Sequence, residues 1–155
     1  MQGCAIIVVM AGLLGADTPA QASKNEKASI QGVWIVESMV FGKEKFAVPP
    51  DMKFTFKEND KVILTGGPAG NSEGTFKLDV TKSPKQLDLE ILAQDKSVNN
   101  ELGIYEFKDG KLLIASRSDE FGEINGKMTA IRRAVRPKKF DDASVFLTTL
   151  VREKK

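Results

Sequence analysis

The sequence predicts an all-β protein, an antiparallel up-and-down barrel of eight strands. Three observations carry that prediction. From Ile30 onward apolar residues recur with a period of two, the alternating runs are short and closely spaced, and turn residues punctuate them. No stretch of this region reads as a helix. With 41% hydrophobic and 28% charged residues, the chain has the composition of a packed globular domain and not of a disordered or collagen-like one. Its 155 residues hold one domain, spanning residues 30–153.

The first strand runs from Ile30 to Phe41, with Trp34, Val36 and Val40 on one face. Pro49-Pro50 stops it, and Met52, Phe54 and Phe56 then alternate with Lys53, Thr55 and Lys57. Glu58-Asn59-Asp60 turns the chain into a third strand holding Val62 and Leu64, followed by the loop GGPAGN. Phe76, Leu78 and Val80 alternate with Thr75, Lys77 and Asp79. Across the turn TKSPK, Leu87, Leu89 and Ile91 alternate with Gln86, Asp88 and Glu90. Leu102–Phe107 and Leu112–Ser116 flank Asp109-Gly110, the strongest hairpin signal in the chain. That two-residue turn sets Phe107 opposite Leu112 and Tyr105 opposite Ile114, all four on one face. The last strand is Ser144–Arg152. Neighbours joined by tight turns favour a meander, and closing it removes both edges.

Between Arg117 and Asp142 the alternation lapses. This segment holds an Asn125-Gly126 turn and five basic residues among the eight from Arg132 to Lys139. It reads as a solvated loop or short extra element over one barrel end, or as a patch for an anionic partner.

At the N-terminus, the apolar run Cys4–Ala16 is too short for a membrane-spanning helix and suits the core of a signal peptide, although no Lys or Arg precedes it. Ala20-Gln21-Ala22 places the cut before Ser23, so residues 1–22 are the expected leader and 23–29 a flexible lead-in. Cys4 precedes the apolar stretch instead of following it, which is the wrong order for lipidation. Removing 22 of 155 residues leaves 133 without cysteine, so the exported form, periplasmic or extracellular, must rely on its core and not on disulfides. No stable membrane insertion is expected after cleavage. The chain has 23 basic and 21 acidic residues, and the leader takes away only Asp17. The resulting +3 is too mild to indicate nucleic acid.

Histidine is absent, which removes the usual general base, the commonest metal ligand and the Ser-His and Cys-His pairs together. The strand acids Asp79, Asp88, Glu90 and Glu106 fall on the outward alternation, where they cannot converge on a substrate. GGPAG lacks the Lys and Ser/Thr of a phosphate loop. No enzyme activity, metal or cofactor is expected. The inward faces are apolar and aromatic, and Phe54, Phe56, Phe76, Leu89 and Tyr105 are the expected lining of a site for a small hydrophobic molecule. Eight strands leave an interior just filled by side chains or just able to hold one such ligand. The alternative is a solid-cored structural or interaction module acting through its surface, and no protein partner is identified by sequence. Gly32 and Trp34 open the first strand and Arg152 closes the last. A guanidinium over the Trp34 ring would plug the barrel base with a cation–π contact of about 1 kcal/mol; the alternative is that Trp34 is plain core and Arg152 belongs to a frayed basic tail, Arg152–Lys155.

That Gly-x-Trp and terminal Arg resemble the lipocalin signature. In order, IQGVWIVES, VPPDMKFTF, GTFKLDVTKSPKQLDL, LGIYEFKDGKLLIA and RPKKF resemble a lipocalin-like domain family of uncharacterised function found in many copies in planctomycete bacteria. The resemblance covers about Ala28–Glu153. It implies a small antiparallel barrel, usually exported, with no established ligand or activity. Between Ser116 and Arg136 this sequence carries extra residues relative to that pattern.

Overall fold

The computed structural model describes residues 18–67, 70–92 and 97–154. The apolar run expected to be a signal-peptide core lies outside them. The first element is a helix, α1 (Pro19–Ile30), which replaces the flexible lead-in expected over residues 23–29 and contains the expected cleavage point. Thr18 caps it, its hydroxyl oxygen accepting from the Gln21 N–H at 3.3 Å, and Pro19 occupies the first turn, where no N–H is missed. Ile30 is the helix's one buried residue, so α1 carries no apolar stripe for a periodicity argument to find. Tertiary ties hold it instead. Lys27 pairs with Asp60 at 2.7 Å, Glu26 pairs with Lys85, and Ile30 is sealed in the main core.

Among the described residues eleven strands follow: β1 (Gly32–Phe41), β2 (Glu44–Phe46), β3 (Lys53–Phe56), β4 (Lys61–Gly67), β5 (Gly70–Asp79), β6 (Gln86–Leu92), β7 (Val98–Lys108), β8 (Lys111–Ser118), β9 (Glu120–Ile124), β10 (Lys127–Arg132) and β11 (Phe146–Arg152). Eight of them, β1, β3–β8 and β11, pair antiparallel in chain order, and β11 returns to β1 to close the circle. This is an all-β, up-and-down, lipocalin-like barrel. Tyr105 faces Ile114 and Phe107 faces Leu112 across the β7–β8 hairpin. Asp109 and Gly110 both take positive φ (52° and 75°), as a two-residue turn between right-twisted strands demands.

Three strands lie outside the circle predicted from sequence. The three-residue β2 folds back on the far half of β1, and β9–β10 form a separate hairpin about Asn125-Gly126 between β8 and β11. One face assignment also changes. The register between β1 and β11 shifts between Val36 and Ser38, a bulge that inserts Glu37. Past it the alternation reverses. Met39 pairs with lumen-facing Thr148 and Phe41 with Phe146, while Ser38 and Val40, which strict alternation places inward, pair with Thr149 and Leu147 on the outer face.

There are two cores. The larger fills the lumen and includes Trp34, Phe56, Phe76, Leu87, Tyr105 and Leu150. The smaller lies outside the barrel wall, where Val145, Phe140 and Leu147 pack on Ile104 and Ala115. It is made by the 133–145 segment strapped across the outer faces of β7, β8 and β11. Arg117 fastens the strap, donating to the Val135 and Ser144 carbonyls at 3.2 and 3.0 Å and pairing with Asp142 at 2.6 Å.

Candidate functional site

The strand register gives the barrel two unlike ends. At one end β1 begins, β11 finishes and α1 lies against the opening. The Arg152 guanidinium carbon sits 4.3 Å from the Trp34 ring centroid, and its nitrogens donate to the carbonyls of Gln31, at 2.8 Å, and Ser29. The Trp34 indole N–H donates to the Ile30 carbonyl at 2.7 Å. Gly32 makes this arrangement possible. Its φ is +121°, and a Cβ there would stand 2.7 Å from Arg152 Nη1, so any side chain would be strained and would displace the guanidinium. The three residues singled out by sequence thus meet at one point, and they lock the last turn of α1 to both ends of the barrel chain.

Above this plug the lumen is packed solid. Phe56 is 1% exposed and meets Phe76 edge-on, with ring centroids 5.1 Å apart. Tyr105, also 1% exposed, meets Phe107 edge-on at 6.1 Å, and Leu112 and Leu150 are fully buried. The Tyr105 hydroxyl lies 3.3 Å from the Glu26 carboxylate of α1 and donates to it. Burial, and then that neighbouring carboxylate, push the phenol pKa well above its ordinary value, so it stays a donor. Of the five lining residues expected from sequence, Phe56, Phe76 and Tyr105 therefore form the barrel floor together with the helix. Phe54 and Leu89 stand higher.

Toward the other end the same inward alternation is less enclosed. Met39, Phe54 and Leu64 point into the lumen yet are only half-buried. Small and polar side chains replace the large ones there, with Ser72, Ser116 and Thr148 all buried. In their midst is Glu101. Counting back by twos from Tyr105 on β7 passes Gly103 to Glu101, and Glu101 faces Leu89 of β6 and Ser118 of β8. Its carboxylate accepts from the Ser116 hydroxyl at 3.1 Å and from the Asn99 amide at 3.4 Å. Burial raises its pKa above the ordinary carboxyl value, and the Ser116 hydrogen bond offsets only part of that. The outward rule holds for Asp79, Asp88, Glu90 and Glu106 but not for this acid, which only the register from Tyr105 reveals.

At the rim, lumen-facing Phe41, Ser118 and Phe146 meet the β9–β10 hairpin around a cleft of about 440 Å³, with Asp119, Arg133 and Val135 on its far side. The Phe41 and Phe146 rings lie 4.8 Å apart, and Phe46 joins them at 5.7 Å from Phe146. Asp119 anchors the hairpin's return. It accepts from the Ala134 N–H at 2.8 Å and from Arg133 at 2.7 Å, which hold its carboxyl below the usual range, the backbone bond most of all. Four of the five cations of the basic stretch are paired within the molecule. Arg132 pairs with Glu120, Arg133 with Asp119 and Lys139 with Asp141, while Arg136 Nη1 lies 2.5 Å from Asp88 and donates to the Gly103 carbonyl at 2.7 Å. Among the described residues no three His, Cys, Asp or Glu gather as a metal site. The chain matches no protein-family model, no curated protein and no solved structure.

Proposed function

We propose that this is a non-catalytic, exported binding module that takes a small, largely apolar molecule through its open end into the upper half of the barrel. The observation that carries the reading is the gradient along the barrel axis. Inward side chains at the helix end, Phe107 apart, are sealed, whereas Met39, Phe54 and Leu64, on the same inward face, keep contact with solvent. A floor of packed aromatics under apolar walls that are half-open at Phe54 and Leu64 is what a shallow apolar site needs, with a few polar groups to orient its guest. The walls would be Phe54, Leu64 and Leu89. Phe56, Phe76 and Tyr105 would support the ligand from below. Membership of the planctomycete-type lipocalin-like family rests on the sequence resemblance, and export rests on the apolar leader.

The competing reading, a surface module acting through the basic stretch, loses support because four of its five cations are paired within the chain. Titration with N-phenyl-1-naphthylamine tests the proposal. One saturable site is expected, lost when Leu64→Trp fills the upper lumen and kept when Arg132, Arg133 and Arg136 become Ser. Absence of saturable binding, or binding indifferent to Leu64→Trp, would overturn it.

A further inference from the structure

Resting on that reading, we infer that the upper lumen selects guests carrying a protonated amine, the ammonium seated on Glu101 and the apolar body on Phe54, Leu64 and Leu89. The site is assembled from three strands. β7 supplies Glu101 and Asn99, β8 supplies Ser116, and β6 supplies Leu89 directly opposite the acid. The lumen-facing residues beside Glu101, namely Asn99, Gly103, Leu89, Ile91, Ser116 and Ser118, are all uncharged. Elsewhere Lys111 engages Glu37 on β1 and Arg136 engages Asp88 on β6, yet among the described residues no lysine or arginine forms an ion pair with Glu101. Arg152, which also faces inward, is committed to Trp34 and the last turn of α1 at the far end.

Ser116 and Asn99 both donate to the carboxylate, so they hold its oxygens in place without neutralising them. Among the described residues, no positive charge pairs with that carboxylate. An alkylammonium supplies one together with hydrogen-bond donors, while its chain covers the half-open apolar wall. Burial disfavours the bare anion. An ammonium seated on the carboxylate relieves that cost by pairing with the anion.

Octylamine and octanol, matched in chain length, separate the contributions when each competes with N-phenyl-1-naphthylamine. Octylamine is expected to bind roughly tenfold to a hundredfold tighter than octanol, the range for a hydrogen bond to a charged group. Glu101→Gln, which keeps the size and the acceptor oxygen, should erase that difference and leave naphthylamine binding intact. Equal affinities for amine and alcohol, or an amine preference that survives Glu101→Gln, would refute the inference while leaving the binding reading standing. If the naphthylamine itself fails to bind the unaltered protein, both fall.

Discussion

Phe56→Ala and Leu64→Ala, compared side by side, test whether the interior really is a packed floor beneath an open chamber. The two residues share the inward face of adjacent strands, β3 and β4. Phe56 is 1% exposed and wedged against Phe76 at 5.1 Å and Phe54 at 6.1 Å, so the floor cannot collapse around a missing ring. The expected loss is about 3–5 kcal/mol, the range for buried Phe→Ala, including about 1 kcal/mol for the edge-on aromatic pair. Leu64 is half-buried at the open end, and its truncation leaves a space water already reaches, so about 1–2 kcal/mol is expected. In urea, with a slope of about 2 kcal/mol per molar, the midpoint should fall by roughly 2 M for Phe56→Ala and by less than about 1 M for Leu64→Ala. Trp34 fluorescence reports the transition, because the single tryptophan sits in the plug. Equal losses for the two variants, or a loss below about 1.5 kcal/mol for Phe56→Ala, would show that the interior is uniform and that the chamber is an illusion of partial exposure.

Gly32→Ala should cost about 1–3 kcal/mol from the positive φ alone, and combined with Arg152→Ala the loss should be less than additive, since the displaced guanidinium is gone; urea unfolding of the four proteins measures the coupling. Because Glu101 has a raised pKa when folded, the stability it contributes is complete below the ordinary carboxyl value of 4.5 and is lost as pH climbs through the folded value. Unfolding at a series of pH values should therefore show that fall in the unaltered protein and its absence in Glu101→Gln. Asp119 has the opposite sign: its lowered pKa gives stability that is present above 3.8 and lost as acid protonates it, so acidification below pH 3.8 should speed proteolytic cleavage of the β9–β10 hairpin before the barrel unfolds.

Most of the barrel was legible because strands leave the clearest mark a sequence carries. Once Asp109-Gly110 fixed one hairpin, Tyr105, Phe107, Leu112 and Ile114 had to share a face, and they do. What escaped notice lacked periodicity. Helix α1 buries only Ile30 and is held by Glu26 and Lys27 reaching distant partners, and contacts of that kind cannot be read from local order. The bulge at Glu37 reversed Ser38 and Val40 with no glycine or proline to announce it. The strap over the outer wall was hidden among charges whose partners, such as Asp88 for Arg136, lie far away in the chain.

The site was half legible for a related reason. Alternation sorts large apolar groups inward but says nothing about depth, so Phe56 and Phe54, two positions apart, looked equivalent although one is floor and the other wall. Depth follows from how the ends are closed. Arg152, Trp34 and Gly32 gather the first and last strands under α1, which forces the tightest packing to that end and leaves the opposite end to loops and the hairpin. Glu101 stands on the loose side of this division. Placed two residues nearer the floor, at Gly103, a carboxylate would meet the β6 and β8 backbones, because even a Cβ there approaches the Leu87 carbonyl to 3.0 Å. Placed where it is, the acid has room, two donors and a route to water. A leucine at that position would remove the desolvation penalty and stabilise the fold, and the penalty is therefore the physical reason to look for a guest that relieves it.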